Sequence, residues 1–206
     1  MVGPKEMCRS QVCDETLRDM AAQGLARGEV AIYPTDTLYA LGASAYSEAG
    51  VRRVADLKGR PGAMPMSFAF AKVEDILAWT DAGELAEKVM LNNFPGPLTV
   101  VLPANAKAPR YILNSDGTLG CRIPDDDAIR LLLADAGPLS ATSANIHGGK
   151  NPRSVGDIPE ELKSKVDRII DFGPCRHARG STIIKIIGDD ISLLREGVLP
   201  LRELKR

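Results

Sequence analysis

Polar side chains that could hold an anionic ligand recur where apolar runs of this chain end. Lysine supplies a point charge, whereas the planar guanidinium of arginine can grip an oxyanion with two parallel hydrogen bonds. Serine, threonine and asparagine add donors suited to phosphate oxygens or a ribose. Together these residue types suit a ligand that carries a phosphate and a carboxylate. The clusters are Thr35-Asp36-Thr37, Lys58-Gly59-Arg60, Arg122, Ser143-Ala144-Asn145, Ser181 and Arg195.

Each cluster also has a purely structural interpretation. Lys58 and Arg60 are cations at the expected end of a helix, where the helix dipole favours them. Ser143 and Asn145 are common turn residues, and Arg195 could pair with a nearby surface glutamate. Taken singly, each cluster favours the structural interpretation. Spacing alone therefore indicates an α/β domain that could bind an anionic ligand, and nothing more specific.

Several kinds of active site are missing from the sequence. It contains neither the P-loop pattern nor the glycine-rich dinucleotide fingerprint. The histidines, His147 and His177, stand in contexts that do not suggest a serine triad. The four cysteines form no C-x-x-C pair, so no zinc site is predicted. The acidic run 125–127 is interpreted as a helix start. We expect no metal site built from protein side chains.

The composition is that of an ordinary globular protein. The chain has 206 residues, of which 44% are hydrophobic and 26% charged, with a net charge of −1. This charge gives no global attraction to nucleic acid or anionic membranes, although a local basic patch remains open. No apolar run approaches the roughly 18 residues of a membrane span. The first residues lack the apolar core of a signal peptide, and the scattered cysteines suggest reduced thiols, so we expect a cytoplasmic protein without membrane contact.

The elements that must position these clusters alternate between helix and strand in the first part of the chain, and end in a hairpin. This pattern predicts one α/β domain with a twisted, mixed sheet. Open α/β sheets bind ligands at the carboxyl ends of their strands, which is where Thr35-Asp36-Thr37 stands. Predicted helices span 12–27, 47–58, 73–79, 83–92, 126–136 and 157–165. Predicted strands span 30–33, 66–71, 98–102, 118–123, 138–142, 168–172, 181–187 and 191–194.

A series of motifs, in order and at matching intervals from about residue 12 to 200, makes the assignment specific. Each motif is weak alone, but together they resemble the YrdC-like threonylcarbamoyl-AMP synthase family. The motifs are Tyr33-Pro34-Thr35-Asp36-Thr37, Lys58-Gly59-Arg60-Pro61, Pro95-Gly96-Pro97-Leu98-Thr99, Arg122-Ile123-Pro124, Ser143-Ala144-Asn145, Asp171-Phe172-Gly173-Pro174-Cys175, Gly180-Ser181-Thr182-Ile183 and Leu194-Arg195-Glu196-Gly197.

The resemblance implies both a fold and a reaction. The fold is a single α/β domain over residues 1–206, with flanking helices around a concave, positively lined cavity. The match leaves no room for the extra C-terminal domain that some longer members carry. The reaction converts L-threonine, bicarbonate and ATP into threonylcarbamoyl-AMP and pyrophosphate, for modification of tRNA by a threonylcarbamoyl-transferase machinery. Mg²⁺ is expected with ATP, held mainly by phosphates and water.

The resemblance also assigns roles to individual residues. Those assigned to ATP are Lys58, Arg60, Ser143, Asn145 and Arg195, with Thr118 and Asn151 as weaker candidates. Lys58 and Arg60 are also the predicted catalytic residues. Those assigned to threonine are Thr35, Arg122 and Ser181, with Ser67 as a lesser candidate and Arg122 holding the carboxylate. We expect Asp36 to brace its turn rather than to act as a base.

Two departures from the family pattern leave other functions open. Met64-Pro65-Met66 stands where many members have Lys-Pro-Leu, and Ala40 replaces a glycine and could narrow the pocket. A YciO-like paralogue without this activity is therefore one alternative. A module that binds tRNA or double-stranded RNA is another, although the net charge argues against it. Carbamoyl-adenylate chemistry on a different acceptor, as in hydrogenase maturation, is disfavoured because the cysteines of that family's zinc fingers are missing.

Overall fold

The computed structural model describes residues 3–59, 66–146 and 149–206. The predicted α/β class is confirmed. Within these ranges the helices are α1 (Arg9–Cys13), α2 (Glu15–Ala26), α3 (Glu48–Leu57), α4 (Val73–Leu77), α5 (Glu84–Asn93), α6 (Asp127–Ala136) and α7 (Glu160–Lys163). The strands are β1 (Lys5–Cys8), β2 (Ala31–Tyr33), β3 (Ala40–Gly42), β4 (Ser67–Ala69), β5 (Leu98–Pro103), β6 (Thr118–Arg122), β7 (Leu139–Ser140), β8 (Thr142–Ser143), β9 (Arg168–Asp171), β10 (Thr182–Ile187) and β11 (Asp190–Arg195).

The strands are divided between two mixed sheets, where the sequence suggested one. The five-stranded sheet has the order β1-β9-β2-β3-β8, and the six-stranded sheet has the order β11-β10-β5-β6-β4-β7. In the first, β9 is parallel to both β1 and β2, whereas β3 is antiparallel to its neighbours. In the second, β10 is parallel to β5, and the predicted β10–β11 hairpin is confirmed. These long-range pairings decide the sheet membership of each strand.

Local sequence explains where the predictions failed. The predicted helix 12–27 is two helices, because the Asp14 side chain accepts a hydrogen bond from the Leu17 amide and caps α2. Strand β1 was missed because only Met7 of its four residues is buried, which gives no alternating pattern. Strand β3 was missed because it has only three residues and begins soon after the polar turn that follows Tyr33.

Helix α3 delivers Lys58 to a fixed place. The Ser47 side chain accepts a hydrogen bond from the Gly50 amide and starts the helix. Buried Val54 packs in the core cluster of the five-stranded sheet. The helix ends at Leu57 with Lys58 as its C-cap, and Gly59 follows with a φ of +63°, the left-handed conformation that glycine adopts readily. The cation at this helix end therefore has a defined direction into the protein.

Three apolar clusters form the core. The largest packs the six-stranded sheet against α4 and α5, the second packs α2 and α6 together, and the third joins α3, α7 and the five-stranded sheet. Over the ranges that the structure describes, no helix is long and apolar enough to cross a membrane. The three clusters support both sheets on the faces that pack against helices, and this support holds the strand ends in place.

Candidate active site

A cavity of about 400 Å³ lies where the ends of strands from both sheets meet. The five-stranded sheet contributes the turn that follows β2, together with β3 and β8. The six-stranded sheet contributes residues of β4, β5, β6, β10 and β11. The cavity is lined by Thr35, Thr37, Leu38, Tyr39, Ala40, Met66, Ser67, Thr99, Arg122, Ala141, Thr142, Ser143, Asn151, Arg179, Gly180, Ser181, Ile183, Arg195, Glu196 and Gly197.

Strand register explains why two distant arginines reach this cavity. Arg195 of β11 is opposite Ile183 of β10, and Ile183 is opposite Thr99 of β5. Arg122 is the last residue of β6, which pairs with β5, and is opposite Ala69 of β4. Hydrogen-bonded strands lie about 4.8 Å apart, so the sheet carries both guanidinium groups on one short row.

Arg122 is buried and is held by the turn after β2. Its Nη2 donates to Oδ1 of Asp36 at 2.6 Å, and its Nη1 donates to Oγ1 of Thr37 at 2.9 Å. The Asp36 side chain is fully buried, and that of Arg122 is 7% exposed. Asp36 does not line the cavity. Its carboxylate braces Arg122, whereas from the sequence we expected it to brace its own turn.

The hydroxyl groups of this turn have a fixed direction of donation. A guanidinium can only donate, so the Thr37 hydroxyl accepts from Arg122. Thr35 Oγ1 lies 2.9 Å from Thr37 Oγ1 and 2.7 Å from the Leu38 carbonyl oxygen. Because a carbonyl only accepts, Thr35 donates to Leu38 and Thr37 donates to Thr35. The Thr35 hydroxyl hydrogen is thus engaged within the turn, although Thr35 lines the cavity as predicted.

Arg195 closes the other side of the cavity. Its Nη2 donates to the Ser181 carbonyl oxygen at 2.8 Å, and Ser181 Oγ lies 2.8 Å from Thr99 Oγ1. Burial lowers the pKa of Arg195, and the charge of Arg122 lowers it further. Among the described residues, Arg195 forms no ion pair with a carboxylate. Two guanidinium groups therefore influence each other across a space that suits an anion.

Lys58 is buried and lies beneath the loop after β8. Its ammonium donates to the Ser143 carbonyl oxygen at 2.7 Å, to the Asn145 carbonyl oxygen at 2.5 Å and to Asn145 Oδ1 at 2.6 Å. The Ser143 hydroxyl donates to the same Oδ1 at 2.8 Å. The interpretation of Lys58 as a solvated helix-end cation is wrong, because the residue is only 3% exposed. The structure joins three of the predicted ATP-side residues into one network.

The structure brings most of the predicted residues together. Arg60 lies outside the described residues. Thr118 is at the other end of β6 from Arg122, and its hydroxyl donates to Asp116 at 2.6 Å, so the structure gives it no place at the cavity. Lys58 and Asn145 sit behind Ser143 and do not line the cavity themselves. The predicted residues that line it are Thr35, Ser67, Arg122, Ser143, Asn151, Ser181 and Arg195.

Sequence reasoning missed several lining residues. Thr99 belongs to one of the sequence motifs and is the second residue of β5. This place near a strand end is the signal that could have identified it. Arg179 directly precedes Gly180-Ser181 and donates to the Glu196 carbonyl oxygen at 3.0 Å. Tyr39 is buried, and its hydroxyl donates to Asp171 at 2.7 Å, which ties the end of β9 to the cavity wall. The contacts of Arg179 and Tyr39 join distant parts of the chain, so no local pattern predicted them.

The buried thiols offer no nucleophile at neutral pH. Burial raises the pKa of Cys175 to about 11, and burial also raises the pKa of Cys121. The reactive form of a cysteine is the thiolate. Among the described residues, no group of three or more His, Cys, Asp or Glu side chains could hold a metal ion. The arrangement suits charge stabilisation by fixed donors rather than covalent catalysis.

Gly197 allows two backbone segments to meet beside Arg195. A Cβ at this position would lie 2.2 Å from the Gly180 carbonyl oxygen and 2.4 Å from that of Ser181. We expect Gly197→Ala to lower the free energy of unfolding by about 1–3 kcal/mol, as overpacking does, and to displace Ser181 from Arg195. Urea denaturation measures the first effect.

Gly156→Ala is the matched control, because a Cβ there would meet only Ser154 Oγ at 3.7 Å. Its unfolding free energy should stay within about 0.5 kcal/mol of the parent value. Equal stability of the two variants would show that the backbone at Gly197 yields easily.

Comparison with known proteins shows which family and which relatives this chain is similar to. A family model named Sua5_yciO_yrdC, described as "Telomere recombination", matches residues 23–197. A putative threonylcarbamoyl-AMP synthase of Methanocaldococcus jannaschii is 38% identical over 182 residues, covering 88% of this chain and 86% of the relative. The threonylcarbamoyl-AMP synthase of Pyrococcus abyssi is 36% identical over 190 residues, covering 91% of this chain. The chain spans only 56% of that second relative.

Solved structures give the same picture. A crystal structure of P. abyssi Sua5 complexed with L-threonine has a TM-score of 0.88 at 32% identity, covering 98% of this chain and 59% of that one. The crystal structure of Escherichia coli YciO has a TM-score of 0.82 at 25% identity and covers both chains completely. The second of these structures carries the YciO name that the sequence left open as an alternative.

Proposed function

The chain belongs to the Sua5/YciO/YrdC family, and from that premise we propose that it is a threonylcarbamoyl-AMP synthase. It would form L-threonylcarbamoyladenylate and pyrophosphate from L-threonine, bicarbonate and ATP. The observation that carries this proposal is that two guanidinium groups line the cavity from opposite sides, that of the buried Arg122 and that of the more exposed Arg195. Three arginines and several hydroxyl groups line the cavity together with one carboxylate residue, Glu196, and this balance favours small anionic substrates.

The reaction needs charge stabilisation more than a nucleophile from the protein. The threonine amine attacks the carbon of bicarbonate, and water leaves to give a carbamate. A carbamate oxygen then attacks the α-phosphorus of ATP, and pyrophosphate leaves. Negative charge moves between oxygens in both steps, and preorganised donors stabilise such charge efficiently in a site that excludes water. Arg122 would hold the threonine carboxylate, with Thr35, Ser181 and Ser67 lining the same part of the cavity.

The ATP side would lie at Ser143, Asn151 and Arg195. We propose that Lys58 and Asn145 support it from below, and that Arg60 completes it with a phosphate contact. Mg²⁺ would arrive as part of the ATP substrate, held by phosphate oxygens and water. Thr118 has no part in the proposed site.

The proposal also covers the domain, the cellular compartment and the partners of the protein. We infer one functional domain with its core at about 12–200, working in the cytoplasm, where the four free cysteines would stay reduced. The product would pass to a threonylcarbamoyl-transferase machinery that modifies tRNA. Direct binding of tRNA or double-stranded RNA is less favoured, because Arg122 and Arg195 face the cavity. A shallow salt dependence of any RNA binding would argue against it.

The decisive assay measures pyrophosphate release from ATP in the presence of labelled bicarbonate. We expect release to depend on L-threonine and the label to enter an adenylate. Binding of ATP without threonine-dependent turnover would instead favour a YciO-like paralogue. That second candidate has a specific basis in the full-length match to E. coli YciO. Serine and alanine as competing substrates would show whether the pocket requires the threonine side chain.

A further inference from the structure

We propose that Asp36 and Thr37 are positioning residues for Arg122, which they orient for the carboxylate of the amino-acid substrate. This inference deepens the proposed function and rests on it. Asp36 lies outside the cavity lining and has a fully buried side chain, so it touches no substrate. The side-chain partner of Asp36 is Arg122, so we assign the effect of the Asp36 carboxylate on substrate binding to its hold on Arg122.

The donors of Arg122 are divided between the turn and the cavity. A guanidinium has five N–H groups. One on Nη2 is taken by Asp36 and one on Nη1 by Thr37. The buried Nε has no hydrogen-bond partner within the described ranges, and neither has Oδ2 of Asp36. Two contacts on different nitrogens fix the plane of the group, which leaves the second N–H of Nη1 and of Nη2 for a ligand in the cavity that Arg122 lines.

Thr37 adds direction to this support. Its hydroxyl accepts from Arg122 and donates to Thr35, which donates to the Leu38 carbonyl oxygen. The chain of donation ends on the backbone, so the acceptor side of Thr37 is held toward Arg122. A valine would keep the shape of the side chain without this acceptor, and a serine would keep the acceptor.

Charge and orientation predict opposite effects for changes at Asp36. Asp36 neutralises part of the charge of Arg122, so its removal would tighten carboxylate binding if charge alone mattered. If orientation matters more, its removal weakens binding, because a mobile guanidinium must be ordered when the substrate binds. The sign of the change therefore distinguishes a positioning residue from a group that only attenuates charge.

The test is calorimetric titration of L-threonine into the full chain without ATP. We expect Asp36→Ala and Thr37→Val each to raise the Kd about tenfold, the effect of losing one hydrogen bond to a charged group. Asp36→Asn, which keeps an oxygen acceptor, should have a smaller effect, and Thr37→Ser should restore parental affinity. The KM for ATP should stay at the parental value. A general loss of structure would change it as well.

Glu29→Gln is the matched control, because it removes the carboxylate partner of another buried arginine, Arg168, outside the cavity. It should reduce stability and leave the threonine Kd unchanged. Unchanged or tighter binding in the Asp36 and Thr37 variants would overturn the inference while leaving the proposed function intact. If Asp36→Ala does not fold, Asp36→Asn decides, because Thr37 lines the cavity itself. A parent chain that neither binds nor uses threonine would overturn both proposals.

Discussion

Arg122→Ala is expected to raise the threonine KM about 100-fold or more, while the KM for ATP stays within about threefold of the parent. Truncating one partner of a buried, hydrogen-bonded charge pair costs about 2–5 kcal/mol, and about 3 kcal/mol already corresponds to roughly 100-fold. Among the described residues, the side-chain hydrogen bonds of Arg122 go to Asp36 and Thr37 and not to a residue assigned to ATP. Steady-state kinetics with each substrate varied in turn measures the two effects separately.

The same change should also destabilise the protein. It leaves the Asp36 carboxylate buried without its cation, and removing one partner of a buried ion pair costs about 3–5 kcal/mol. For a chain of this length, such a loss lowers Tm by about 6–20 °C. Assays must therefore be run well below the melting temperature of the variant. The double variant Asp36→Asn with Arg122→Gln replaces both charges and should recover part of the stability without recovering threonine affinity.

Arg168→Ala provides the comparison that separates stability from binding. Arg168 is as buried as Arg122 and pairs with Glu29 at 2.7 Å, but it lies in the five-stranded sheet outside the cavity. It should lose comparable stability and keep the parental threonine KM. A threonine KM for Arg122→Ala within about threefold of the parent would contradict the carboxylate assignment.

Local signals predicted the elements that carry the site better than the way they assemble. The start of the helix at residue 47, the polar exit of β2 and the β10–β11 hairpin each depend on neighbouring residues, so the sequence revealed them. The split into two sheets depends on β9, which pairs with strands more than a hundred residues earlier in the chain. No local pattern contains that information.

The candidate site shows the same division between local and distant causes. Arg122 was predicted to hold a ligand carboxylate, and it lines the cavity. Its partner Asp36 is 86 residues away in sequence and could not be identified from composition or spacing. Thr118 lies on the same face of β6 as Arg122, since the two are four residues apart, but at the far end of the strand. Alternation fixes the face of a strand and says nothing about which end meets a ligand.

Lys58→Met is the second change with a large expected effect. We expect it to lower kcat/KM for ATP about 100-fold, while threonine affinity without ATP stays within about threefold. Methionine keeps an apolar side chain in this buried position. It cannot make the three hydrogen bonds that the Lys58 ammonium donates to Ser143 and Asn145. Hydrogen bonds from a charged group contribute about 1.5–3 kcal/mol each, so the loop that forms the ATP side would lose its anchor.

Lys185→Met is the matched control, because Lys185 pairs with Asp116 at 2.7 Å and does not line the cavity. It should leave ATP use unchanged. A double-mutant cycle with Asn145→Ala then identifies how Lys58 acts. If Lys58 acts by holding Asn145, the two losses are not additive, and the coupling reaches about 0.5–3 kcal/mol. Additive losses would mean that Lys58 acts on ATP independently of Asn145, and parental kcat/KM in Lys58→Met would remove Lys58 from the site.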